Sequence, residues 1–130
     1  MFRATEAGAI YAIVGFLIGF ILGTIRVLLF APRLGETTAV IVEVPIMLLA
    51  SWFACRWCVD RLHVARTVPA RLLMGLVAFL VLMSAEVGLG AAFGRSLVDQ
   101  LAAYGSLGGA IGLAAQVIFA MFPVIQVWRE

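Results

Sequence analysis

Apolar residues in this chain run in long blocks instead of alternating. Four blocks, 8–30, 38–59, 70–93 and 106–128, are interrupted only by short polar breaks. Each has the roughly 20 residues that a helix needs to cross a hydrocarbon core. Lipid cannot hydrogen-bond a bare backbone, so such blocks are expected as helices that satisfy their own N–H and C=O groups. The breaks have local causes. Pro32 and Gly35 close the first block, and Thr37 or Thr38 can cap the second. Asp60-Arg61-Leu62-His63 opens a polar connection that ends at Pro69, a residue suited to the first turn of a helix.

The segment 94–105 is more ambiguous. Ser96 and Asp99 have capping-box spacing, with the shorter Asp in place of Glu or Gln. Leu97, Val98, Leu101 and Tyr104 recur on one helical face, which predicts a short amphipathic helix in the membrane interface ended by Gly105. An irregular loop is the competing reading. The expected fold is therefore an all-α membrane protein, a four-transmembrane-helix bundle in one integral membrane domain over residues 1–130, with a possible interfacial helix between spans three and four.

Composition agrees with the pattern. The chain is 65% hydrophobic and 12% charged, where soluble domains carry roughly 25% charged residues. The mean hydropathy is +1.15. The first block far exceeds the roughly 7–15 residues of a signal-peptide core, so it is expected to remain as a span. A net charge of +2 without a basic block gives nucleic acid no footprint. All nine basic residues are Arg, which suits a GC-rich bacterial genome. Six of them, Arg3, Arg56, Arg61, Arg66, Arg71 and Arg129, would share one side, against Arg33 and Arg95 on the other. The positive-inside rule then predicts a multi-pass protein of the bacterial inner membrane with both termini cytoplasmic.

Three charges stand inside the spans: Arg26, Glu43 and Glu86. Each costs about 2.5–3.5 kcal/mol at a helix centre on insertion scales, and alternating spans place all three in the same half of the bilayer. Each lies on a stripe of small residues. Arg26 projects from the stripe of Gly15, Gly19 and Gly23, Glu86 leads Gly90, and Gln116 follows Gly108 and Gly112. Small residues mark faces where helices approach closely. The expectation is one buried cluster of Arg26, Glu43 and Glu86, supported by Gln116. The plain structural reading is an ion pair that fixes helix register. Pro45 would free the Ile41 carbonyl near Glu43, either to bind water or a cation or merely to bend the helix, and Pro123 is expected only to kink the last span.

Other motifs are weaker. Cys55 and Cys58 have CxxC spacing and share a helical face, as a thiol redox pair or half a metal site would. The expected orientation puts them at the reducing face, a second pair is missing, and His63 alone does not complete a zinc set. Trp57 and Trp128, with Tyr104 opposite, suit interface anchors, and Trp52 suits packing. No phosphate loop, zinc-protease helix or nucleophile elbow occurs. Neither a metal nor a cofactor is implied. The leading functional expectation is a non-enzymatic accessory or oligomeric membrane subunit whose partners are the bilayer and either further copies or a larger complex. That expectation rests on glycine-rich helices packing tightly and leaving little room for a substrate. The alternative is a proton-coupled or ion-conducting small transporter using Glu43 or Glu86, and the third is a membrane thiol redox protein.

Overall fold

The computed structural model describes residues 2–129, and within them the side-chain environment of all but Phe30, Ala31, Glu36, Gly108 and Arg129. It is helical throughout, with no strand among the described residues. The elements are α1 (Phe2–Ile25), a π-helical turn (Arg26–Phe30), α2 (Ala31–Leu34), α3 (Glu36–Leu62), α4 (Val68–Ala92), α5 (Leu97–Ala103) and α6 (Leu107–Arg129). Four of these helical stretches are long and apolar enough to cross a membrane, and they form a four-helix bundle. α1 packs on α3 and α4, and α6 packs on the same two helices, so α1 and α6 lie across a diagonal.

The helix ends show the chemistry at work. Pro32 has no N–H for the Leu28 carbonyl and its ring crowds that turn, so the ladder widens into the π-helical turn just before it. Helical structure therefore continues through Pro32 and stops at Gly35, whose φ of 84° suits a residue without a side chain. α3 begins directly after Gly35 with no side-chain cap, which corrects the expectation that Thr37 or Thr38 caps it. Thr67 caps α4, with Pro69 in the first turn. The Ser96 hydroxyl accepts from the Asp99 N–H at 3.1 Å, and the short helix α5 follows. Ser106 caps α6, accepting from the Gly109 N–H at 3.0 Å while donating to the Ala103 carbonyl at 2.7 Å.

Packing is lopsided along the bundle axis. The buried core joins Ala4, Ala7, Tyr11 and Ala12 of α1, Cys55 and Cys58 of α3, Met74 and Ala78 of α4, and Phe119 and Phe122 of α6. All of these sit toward the end that carries the termini and the Leu62–Val68 connection. Small residues are why the helices close there. A Cβ on Gly8 would run into the Met74 carbonyl, and one on Gly75 into the Ala120 carbonyl. This closed end contrasts with the other end, where the helices part around a cavity.

Polar groups at the closed end stitch the helices together. Pro123 leaves the Phe119 carbonyl without its helical donor. The Tyr11 hydroxyl supplies one, donating to that carbonyl at 2.7 Å, with the two rings stacked at 4.0 Å. Pro123 thus does more than the kink expected of it. Arg71, almost fully buried, donates to the Pro123 carbonyl at 3.1 Å. The Gln126 amide donates to the Trp52 carbonyl at 3.0 Å, and Trp52 meets Phe122 edge-on. Arg66 donates to the Val127 carbonyl at 3.3 Å, at the helix end where a cation is favoured.

Candidate functional site

Between the four long helices, at the end opposite the termini, lies a cavity of about 240 Å³. Its wall is mainly apolar, with Phe16, Phe20, Met47, Leu82, Leu89 and Phe119 among the lining residues. Four polar side chains interrupt it: Arg26, Glu43, Glu86 and Gln116. Helical periodicity explains the gathering. Arg26 follows Gly15, Gly19 and Gly23 on one face of α1 and its π-helical extension, and all four line the cavity.

Inside the cavity the charges divide into two pairs. The Arg26 guanidinium donates to the Glu43 carboxylate at 2.7 Å, with the side chains only 25% and 13% exposed. Glu86 instead takes the Gln116 amide, which lies 2.7 and 2.6 Å from its two carboxylate oxygens. The expected single cluster is therefore an Arg26–Glu43 ion pair and a Glu86–Gln116 pair facing one cavity, and among the described residues Glu86 has no cation beside it. α1 is a neighbour of both α3 and α4, so adjacency alone leaves either carboxylate open to Arg26; the guanidinium meets Glu43 of α3, and Glu86 of α4 turns to Gln116 of α6. The fourth-span residue Gln116 is thus a direct partner of a charge.

The glycine expectations split. Gly15 meets the Phe119 ring closely. Gly19, Gly23 and Gly112 line the cavity, and a Cβ on any of them would meet nothing closer than ordinary van der Waals contact, so they are no close helix crossing. Gly90 is crowded by Gln100 of α5 and not by another span. The packing of Gly108 lies outside the described residues. Gly8 and Gly75 are the tight crossings, unmarked in sequence because each is a lone glycine among alanines and larger residues.

Above the cavity, at the open end, a wider vestibule of about 570 Å³ is lined by Arg95, Tyr104, Thr37, Ser106 and Arg26. Arg26, Val40, Gly112 and Gln116 line both spaces, so the two adjoin. Partial burial holds the Tyr104 phenol above its ordinary value, with Glu86 adding to the rise and Arg95 opposing it. Tyr104 therefore stands within the electrostatic reach of both charges. Pro45 is exposed and, like Ile41, is not among the residues lining the cavity, so the freed carbonyl adds nothing to the site.

Cys55 and Cys58 form no disulfide, are both fully buried in the closed-end core, and are not among the residues lining the cavity. A redox pair needs a thiolate that a partner can reach, and the packing around these sulfurs offers no approach. Among the described residues no three of His, Cys, Asp and Glu gather as a metal set. Comparison of the chain with protein-family models, with curated proteins and with solved structures finds no match.

Proposed function

We propose that this multi-pass membrane protein is a small carrier that binds a proton or a small cationic group at Glu86, with no enzymatic chemistry of its own. One observation carries the reading. Among the described residues, Glu86 faces a cavity inside the bundle with an amide for partner and no cation, beside an ion pair that is already balanced. A carboxylate held between hydrocarbon-flanked helices is costly and marks a proton or ion path by default. A proton or a bound cation neutralises Glu86, and exchange between the two is the elementary step of coupled transport. The cavity gives a small ligand room that tight packing of glycine-rich helices would not, which favours the carrier over the accessory subunit.

The Arg distribution supports an inner-membrane placement with both termini cytoplasmic. The vestibule then opens on the outer side. The accessory-subunit reading retains one supporting feature. Phe93, Leu97, Val98 and Leu101 expose an apolar surface outside the spans, 57–75% accessible, which a partner or the interfacial lipid can cover.

Proteoliposomes with a trapped pH dye test the proposal. A panel of small amines and amino acids applied under a pH gradient should move protons through the wild type, and Glu86→Gln should abolish the movement. Undiminished flux in Glu86→Gln would sink it. So would an absence of flux together with stoichiometric recovery of a partner protein, which would return the accessory-subunit reading.

A further inference from the structure

The vestibule and the cavity carry opposite charges that the protein itself does not neutralise. Arg95 lines the mouth and has no ion-pair partner among the described residues, and Glu86 lies deeper with only the Gln116 amide. Arg26 is set apart from them by its ion pair with Glu43. The Tyr104 hydroxyl, 4.0 Å from the Met83 sulfur, stands in the electrostatic field of both charges, and the two spaces share wall residues. Glu86 lies in α4, and Arg95 follows the end of that helix at Ala92, just past the turn at Gly94.

We propose that the funnel takes a small zwitterion with an apolar body, its amine on Glu86 and its anionic group on Arg95 and the Tyr104 hydroxyl. This rests on the reading of Glu86 as the cavity's cation site and names the ligand class. The charge count favours it. A simple cation entering past Arg95 is repelled at the mouth and leaves Arg95 uncompensated, and a simple anion leaves Glu86 uncompensated. A zwitterion balances both at once without altering the total. Phe16, Phe20, Leu82 and Phe119 surround the remainder with hydrocarbon. The volume of about 240 Å³ is below the roughly 300–1,000 Å³ typical of pockets for drug-sized ligands, which limits the ligand to amino-acid size. An ethanolamine phospholipid headgroup carries the same pair of charges and is the other source of this chemistry.

Thermal unfolding of the purified full chain in phosphatidylglycerol nanodiscs tests this with three probes of one carbon skeleton. They are L-leucine, L-leucinamide, which lacks the carboxylate, and 4-methylpentanoate, which lacks the amine. Leucine should raise the unfolding midpoint at concentrations at least tenfold lower than either analogue. Glu86→Gln should remove the response to leucine and leucinamide, and Arg95→Gln the response to leucine and 4-methylpentanoate. Arg95 is exposed outside the spans, so its variant retains the bundle. The wild-type probe series decides the question even where Glu86→Gln fails to fold. Loss of the leucine effect when phosphatidylethanolamine is added identifies the headgroup as the competing source and upholds the zwitterion. Leucinamide matching leucine, with no effect of Arg95→Gln, overturns the zwitterion while Glu86 stays a cation site. Silence of all three probes alongside Glu86-dependent proton flux also overturns it and leaves the carrier reading standing. Absence of both effects removes the two together.

Discussion

Tyr11 shows how one side chain repairs a defect that another creates. Pro123 deletes the donor for the Phe119 carbonyl in the most densely packed part of the bundle, and the Tyr11 hydroxyl restores it across the diagonal. A buried carbonyl without a donor costs about 1–3 kcal/mol, so Tyr11→Phe should lower stability by that amount in a detergent unfolding assay. Pro123→Ala returns an N–H to the helix and makes the hydroxyl redundant. In that background Tyr11→Phe should cost less than about 1 kcal/mol, the coupling expected of groups sharing one acceptor. Equal costs in both backgrounds would show that the tyrosine acts through its ring alone. The Arg26–Glu43 pair follows the same logic of mutual compensation. Glu86 departs from it, and the proposed cation site rests on that departure.

For the elements, the contrast lies between two sets of glycines. Gly8 and Gly75 hold α1 on α4 and α4 on α6 at backbone distance, whereas Gly19 and Gly112 border empty space. Overpacking a close crossing costs about 1–3 kcal/mol or more. Gly75→Ala should therefore broaden the size-exclusion profile and lower the unfolding midpoint, while Gly19→Ala should leave both nearly unchanged. An equal response at the two positions would mean that the open end is packed as tightly as the closed one. The same contrast sets the π-helical turn in context. Pro32 enforces it, and it begins at Arg26, so the cation that lines the cavity stands where α1 changes its winding. α5 reaches over the end of α4 through Gln100 on Gly90 and brings Tyr104 to the vestibule.

The whole molecule has a closed end with the termini and an open end with the vestibule. Single cysteines at Gly35 and Gly105, in a background lacking Cys55 and Cys58, should react with an impermeant maleimide from outside the cell. One at Ala65 should react only after permeabilisation. The reverse pattern would turn the vestibule toward the cytoplasm and change the direction of any transport. In the unmodified protein Cys55 and Cys58 should resist even a permeant maleimide until the bundle is unfolded, because no part of either is accessible. Prompt labelling of the native protein would reopen the thiol redox reading.

The sequence by itself determined the class, the number of spans and their approximate limits. Block hydrophobicity over about 20 residues is a one-dimensional signal with one structural solution in lipid. It also marked Arg26, Glu43 and Glu86, since a charge within such a block is conspicuous wherever it ends up. Ser96 and Asp99 revealed α5, because capping is local. Which charge meets which was decided by tertiary structure. Pairing depends on the neighbours of each helix around the bundle, and periodicity fixes a face without fixing what stands opposite. The same limit applies to the glycines. A small-residue stripe permits close approach, but whether backbone or cavity lies across it depends on where the bundle closes. Here the tight packing of Tyr11, Met74 and Phe119 draws the helices together at one end and leaves them apart at Glu86.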